Sequence, residues 1–335
     1  MQASQFTLEN FNLQCEATLP KANIVYKTYG ELNSDRSNVI LYPTSYGAQH
    51  TDIEWLIKPD GILDPSQYFI IIPNMFGNGL SSSPSNNPDS KLAESGFYFT
   101  HLDNIRAQKQ LLDSLEIEKL ALVYGWSMGA QQAYHWGALH PEMVERIAAV
   151  CGTAKTTDHN KIFLQSLRTA LTADPAWNGT KFEAIPNRGF KAFARIYASW
   201  AASQAYYRQG IYYQFGYDSL EDYLVRGWEA NYRQSNPHNL LSMIDTWLHC
   251  DVSNNSIYQG DYKKALKSIT ARTLFMPSIT DLYFTPEDCK AEADLIPNAE
   301  YLPIPSIWGH RAGNPYQNSE DERFIRKATI ELLNK

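Results

Sequence analysis

LALVYGWSMGAQQAYHWGALHP, residues 120–141, is the stretch from which this chain is best read. Its first part, Leu120 to Tyr124, is a continuous apolar run of the kind that forms a strand buried on both faces. Gly125-Trp126-Ser127-Met128-Gly129 then turns the chain, and a helical pattern follows with Ala130, Ala133, Tyr134 and Gly137 on one face. Strand, G-x-S-x-G and helix in this order make a nucleophile elbow. The glycines have a steric reason, because a serine on a sharp strand-to-helix turn needs a strained backbone with no side chain crowding either flank. The turn raises the Ser127 hydroxyl above the sheet and puts the Met128 N–H and a helix N-terminus behind it, where a developing oxyanion would be stabilised.

Outward from the elbow, the chain reads as alternating strands and helices. Toward the N-terminus, Phe6 to Leu19 and Ile24 to Tyr29 are expected to form an antiparallel hairpin. Asn38 to Tyr42 and Tyr68 to Pro73 are expected as buried strands, the second followed by a long polar loop over 74–90. Asn104 to Leu115 has helical spacing of its apolar residues. Beyond the elbow, Val144 to Cys151 is the next expected strand. Strand character returns at Ala271 to Pro277 and Glu300 to Ile304, with helices over Pro286 to Ile296 and Glu320 to Leu333. Near-continuous apolar strands alternating with helices imply an α/β fold, a mostly parallel sheet covered on both faces. Between these halves the texture changes. Fifteen Phe, Trp and Tyr residues lie between Phe193 and Tyr262, in helical patterns broken at 174–179, 185–189 and 235–237. The division expected is therefore a core of residues 1–152 and 268–335, with 153–267 inserted as a helical cap. Most of its aromatics would pack between helices, and a few would face an apolar pocket.

Composition narrows the function classes. The chain has 335 residues, 44% of them hydrophobic, enough for one sizeable core plus an insertion. A formal net charge of −7 leaves no electrostatic footprint for nucleic acid or an anionic membrane. No apolar run approaches a membrane span, and the polar N-terminus lacks a signal-peptide pattern. Cys15, Cys151, Cys250 and Cys289 are scattered without a CxxC, so neither a zinc site nor a disulfide framework is expected. The expected compartment is the cytoplasm, the expected partner a small molecule, and no metal or cofactor is called for.

A serine nucleophile needs a base and a group to orient it, both on loops at the C-terminal edge of the sheet. Of the eight histidines, His310 is the one placed after both halves of the sheet. Asp281 directly follows the strand before it, while Asp288 lies inside the next helix and is a poor second. Ser127, Asp281 and His310 occur in the chain order of the α/β-hydrolase fold. The second oxyanion donor is expected from the loop after the first core strand, PTSYG, at the backbone N–H of Ser45, with Thr44 or Tyr46 as alternatives in register.

YKTYGELN (26–33), GILDPSQYFIIIPNMFGNGLSSSP (61–84), GWSMGAQQAYHW (125–136), DPAWNG (174–179) and TDLYFTPED (280–288) resemble the homoserine O-acetyltransferase family over nearly the full length. That resemblance implies Ser127, Asp281 and His310 as triad, Met128 and Ser45 as oxyanion donors, and a homodimer formed through the insertion. Two departures stand out. The acetyltransferases usually carry glycine before the nucleophile, where this chain has Trp126. They usually follow the catalytic histidine with an aspartate that helps hold homoserine's amino group, where this chain has Arg311. The chain thus looks like an esterase-like branch of the family, hydrolysing short-chain esters such as alkyl acetates. Trp126, Trp308, Arg311 and Tyr46 are the candidate pocket residues, with the two tryptophans expected to wall a narrow slot beside Ser127. The alternatives are an acetyl-CoA-dependent O-acetyltransferase, which would pass through the same acyl-serine, and a non-enzymatic binding module.

Overall fold

The computed structural model describes residues 2–87 and 97–335. Eight strands form one sheet: β1 (Ser4–Asn12), β2 (Thr18–Tyr29), β3 (Val39–Leu41), β4 (Phe69–Pro73), β5 (Leu122–Trp126), β6 (Arg146–Val150), β7 (Arg272–Met276) and β8 (Ala299–Tyr301). Their spatial order is β1-β2-β4-β3-β5-β6-β7-β8. β1, β2 and β4 pair antiparallel, and every pairing from β4 through β8 is parallel. This is the α/β-hydrolase architecture read from the sequence.

The apolar runs become the central strands for the reason that made them legible. Val39, Ile40 and Leu41 of β3, Ile70 to Ile72 of β4 and Leu122 to Tyr124 of β5 are sealed on both faces. The hairpin forms with one correction, since Leu19 belongs to the second arm rather than the first. The chain reverses over residues 13–17, where the Leu13 N–H donates to the Ala17 carbonyl at 2.7 Å and Glu16 takes a positive φ of 68°. The helix expected from Asn104 begins earlier, at His101, because Thr100 and Asp103 form a reciprocal capping box. The polar loop expected over 74–90 is described as far as Asn87, and 88–90 lie outside the described residues.

Chain direction across the sheet reverses at β3. β4 lies to one side of it and β5 to the other. A crevice opens above such a reversal, at the carboxyl ends of the strands. The loop after β3 carries Ser45, and the turn after β5 carries Ser127.

Between β6 and β7 the described chain is helical, with Asp158–Thr172, Asn187–Ala201 and Pro237–Leu248 as its longest helices. Phe163, Leu167, Phe193 and Trp247 from this stretch share one buried cluster with Val123 and Phe275 of the sheet and Tyr134 of the helix that follows β5. The helices therefore fold against the sheet with a continuous core.

The elbow is a tightly constrained turn. A Cβ on Gly125 would lie 2.2 Å from the Gly129 carbonyl oxygen, and one on Gly129 would lie 2.8 Å from the Pro43 carbonyl. Both obstacles are backbone and cannot swing aside. We expect Gly125→Ala to lower the melting temperature by about 5 °C or more, read by thermal unfolding followed by circular dichroism. A Tm within a degree of the parent would mean that the turn tolerates a displacement the geometry does not allow.

Candidate active site

Ser127 sits between β5 and the helix Met128–Leu139 with φ 59° and ψ −126°, a backbone conformation that costs energy for a residue with a Cβ. The turn is stapled from the neighbouring loop. The Ser45 hydroxyl donates to the Trp126 carbonyl and accepts from the Gly129 N–H at 3.2 Å. Strand β6 holds the other side, since its Val150 carbonyl accepts the Ser127 N–H at 3.0 Å.

Asp281 follows β7, and His310 lies in the short helical turn Gly309–Gly313 beyond β8. The structure brings them together across 29 residues, with His310 Nδ1 2.7 Å from Asp281 Oδ2. The other carboxylate oxygen accepts the Tyr283 N–H at 2.8 Å and the Phe284 N–H at 3.2 Å, so the carboxylate cannot rotate freely. A carboxylate held in this way requires the proton on Nδ1 and leaves Nε2 as the free base. The imidazole itself is packed between Trp126, 5.1 Å away and stacked, and Tyr283, 4.6 Å away and edge-on. The two loops are tied to each other through Thr280. Its hydroxyl donates to the Ser306 carbonyl at 2.8 Å and accepts from the Gly309 N–H at 3.0 Å.

Ser127 and His310 line one cavity of about 340 Å³. Neither Ser127 Oγ nor His310 Nε2 has a hydrogen-bond partner among the described residues, and neither atom is sealed from solvent, so both open onto this space. Ser45 is also in its wall, and the Ser45 N–H donates to no acceptor among the described residues. Thr44 is removed as an alternative donor, because its N–H is already given to the Pro73 carbonyl at 3.3 Å. Met128 is the first residue of its helix, where a backbone N–H has no partner within the helix. The arrangement thus offers a hydroxyl, a free imidazole nitrogen oriented by a carboxylate, and two N–H groups for a developing negative charge.

Residues 57–307 match the family model of the alpha/beta hydrolase fold. The chain belongs to the α/β-hydrolase fold family. An ethyl acetate hydrolase of Pseudomonas veronii is 38% identical, over 87% of this chain and 84% of that protein. The structure of an acetylester hydrolase from Corynebacterium glutamicum superposes with a TM-score of 0.94 at 35% identity, covering 100% of this chain and 96% of that one. A homoserine O-acetyltransferase of Chlorobium chlorochromatii is 28% identical, over 91% of this chain and 88% of that protein. Within the family, the chain is more similar to these two esterases than to that acetyltransferase.

The pocket of this α/β-hydrolase differs in part from the expectation. Trp126, Tyr46 and Arg311 line the cavity. Trp308 does not. It is buried behind Arg311, edge-on to Tyr206 and Phe215, and its ring face lies 5.5 Å from the guanidinium. The expected slot between two tryptophans is thus walled by Trp126 alone. The opposite wall comes from Tyr197, Tyr217, Tyr223, Trp228 and Tyr232 of the helical stretch between β6 and β7. Sequence reasoning did not name these residues, and their only signal was the local density of aromatics. Nor did it find the Ser45 staple or the Thr280 tether, which join loops far apart in the chain.

The other histidines sit elsewhere. His101 and His135 are buried in the layer around the elbow helix, bonded to Gln131. Burial holds both below the usual imidazole range, His101 at about 3, so they pack as neutral rings. Asp288 accepts from the Thr285 hydroxyl at the start of its own helix and stands apart from His310. Cys151 lies beneath the acid and base, its sulfur within 4.8 Å of ligand atoms of Asp281 and His310. Burial, with the nearby Asp281 charge, pushes this thiol up, so it stays protonated rather than becoming a metal-binding thiolate.

Asp281→Asn would keep the shape of the acid while donating, rather than accepting, at Nδ1, and so would trap the wrong tautomer. We expect an unchanged far-ultraviolet spectrum and a kcat on an acetate ester about 10⁴-fold below the parent. A loss under tenfold would remove Asp281 from the role of orienter.

Proposed function

We propose that this chain is a serine ester hydrolase that cleaves short-chain carboxylic esters of the alkyl acetate type through an acyl-Ser127 intermediate. The observation that carries this reading is the shared cavity. Ser127 Oγ and His310 Nε2 both open onto it, with His310 held by Asp281. The names of the P. veronii ethyl acetate hydrolase and the C. glutamicum acetylester hydrolase support acetate as the acyl group.

In this mechanism Ser127 Oγ attacks the ester carbonyl while its proton passes to His310 Nε2. Asp281 balances the imidazolium that forms, and the N–H groups of Met128 and Ser45 hold the oxyanion. Collapse of the tetrahedral intermediate breaks the carbonyl–alkoxy bond, and His310 gives its proton to the departing alcohol. A water then repeats the sequence on the acyl-serine, releasing the carboxylic acid and restoring the hydroxyl. Every group required is a side chain or backbone amide of this chain, and the reaction calls for no cofactor or metal. The only partner needed besides water is a small ester.

Arg311 separates hydrolysis from transfer to homoserine. A guanidinium in the cavity wall repels the acceptor's ammonium by about 1–4 kcal/mol at a few ångströms, depending on how much water intervenes. A neutral alkyl ester has no such penalty. In parallel assays we expect robust hydrolysis of ethyl acetate, falling as the acyl chain lengthens in the confined cavity. We expect negligible transfer from acetyl-CoA to homoserine. Ser127→Ala should abolish the hydrolysis by about 10⁴-fold or more while leaving the fold intact. Robust O-acetylhomoserine formation with negligible ester hydrolysis would instead assign the chain to the acetyl-CoA-dependent transferases.

We further assign residues 153–267 as a cap over the core of 1–152 and 268–335, and as the surface of a homodimer. The support is exposed apolar area. Ile162 on the helix Asp158–Thr172 is 64% exposed and lines a shallow groove with Ala170, Ala173 and Ile196. Light scattering should therefore give twice the mass of one chain. A strict monomer at high concentration would contradict the interface and leave the catalytic reading intact. The four cysteines are unpaired and three are buried, which fits the reducing cytoplasm we assign to the protein. No helix among the described residues is long and apolar enough to cross a membrane.

A further inference from the structure

Arg311 has an unfinished coordination sphere. Its Nη1 donates to the Tyr223 hydroxyl at 3.0 Å and the Tyr206 hydroxyl at 3.3 Å. The faces of Trp308, Tyr206 and Phe215 surround the guanidinium at 5.5, 5.9 and 6.0 Å. These contacts fix its position, but all of them are to neutral groups. Among the described residues Nε and Nη2 make no hydrogen bond, yet neither is sealed off, so three of the five donors remain available on a residue that lines the cavity. The cavity wall holds no carboxylate among the described residues, although the chain as a whole carries a net charge of −7.

A guanidinium is always charged, and partial burial against neutral groups costs it hydration that ring faces and hydroxyls restore only in part. Its planar pair of donors matches a carboxylate, which accepts two parallel hydrogen bonds. The direction of the reaction says which part of the substrate would carry that group. His310 protonates the leaving oxygen, so the alcohol half faces His310 and its chain neighbour Arg311. The acetyl group of the proposed substrate, in contrast, is a carbonyl and a methyl and carries no carboxylate. The cage itself is a built feature. Tyr223 opens a π-helical stretch, Tyr223–Glu229, and lines the cavity while accepting from Arg311. Such irregular turns recur where a helix is bent to serve a site.

We infer that Arg311 recognises a carboxylate on the alcohol part of the ester, so that short-acyl esters of small hydroxy acids are preferred over uncharged alkyl acetates. This rests on the ester-hydrolase reading and names its substrate class.

The test compares acetoxyacetate with its uncharged isostere acetoxyacetamide, as a ratio of kcat/KM values, so that any general loss of turnover in a variant cancels. The parent enzyme should favour the carboxylate by about tenfold to a hundredfold, the range for hydrogen bonds to charged groups. Arg311→Met should bring the ratio to about one, and Arg311→Lys, which keeps the charge without the planar fork, should retain part of it. A parent ratio of one or less, or a ratio that Arg311→Met leaves unchanged, overturns the inference. If Arg311→Met does not fold, the parent ratio and its partial loss in Arg311→Lys decide, a full ratio in the lysine variant counting against the fork. If neither ester is cleaved by the parent, hydrolysis of ethyl acetate separates the two readings: its presence overturns the inference and leaves the ester-hydrolase reading standing, and its absence fails that reading itself. Calorimetric binding of glycolate then tests the anion site alone. Binding that weakens at least tenfold in Arg311→Lys supports it, and absence of binding to the parent refutes it.

Discussion

The approach of Gly125 to Gly129 is the constraint on which the rest of the site depends. The backbone of the strand end passes so close to the first turn of the helix that no Cβ fits between them. That proximity lets Ser127 hold its positive φ and present its hydroxyl at the crevice between β3 and β5. The strain is not borne by the turn alone. Ser45 bonds to both sides of it, at the Trp126 carbonyl and the Gly129 N–H, so the loop after β3 locks the elbow with its side chain. The same residue's backbone N–H has no acceptor among the described residues, and the residue lines the cavity. One loop residue thus supports the turn with its side chain and keeps a backbone donor unused.

Acid and base are positioned by a different principle. Asp281 and His310 lie on loops that follow separate edge-side strands, and each loop is held by backbone hydrogen bonds of its neighbour. Thr280 bridges to Ser306 and Gly309, and the Ser306 hydroxyl donates in turn to Asp321 on the terminal helix at 2.6 Å. The imidazole gains further restraint from the rings of Trp126, Tyr283 and Phe284. Polar tethers set the loops and aromatic packing sets the ring, leaving Nε2 as the open edge. This division is economical in charge. Beneath the pair, the buried thiol of Cys151 stays neutral and adds none.

The wall facing the triad is where this chain acquires its own character. It is contributed by the helices between β6 and β7 and is rich in tyrosine and tryptophan, groups that supply apolar surface with a polar tip. Into this largely neutral wall the histidine loop inserts one permanent cation, Arg311. The charge is stabilised by hydroxyl oxygens and ring faces rather than by a carboxylate. On the function proposed above, this charge next to the base is what separates hydrolysis from transfer to homoserine, while the proposed catalytic groups serve either reaction.

By itself the sequence determined the α/β fold class, the elbow, and the order Ser127, Asp281, His310. Each of these is written in contiguous residues or in the alternation of apolar segments, which local geometry and burial translate directly into strands, turns and helices. The resemblance to the acetyltransferase family added Trp126 and Arg311, because they depart from that family's usual pattern. Only the tertiary structure removed Thr44 from the candidate donors and left the N–H groups of Ser45 and Tyr46, since nothing in the order of these residues foretells the Pro73 carbonyl. It also moved Trp308 from the cavity wall to the back of Arg311, and chose the five aromatics of the helical stretch that face the triad. Aromatic residues at helical spacing carry no mark of which face meets a cavity and which meets another helix. That assignment depends on how the helices pack across the sheet, through contacts between residues a hundred or more positions apart.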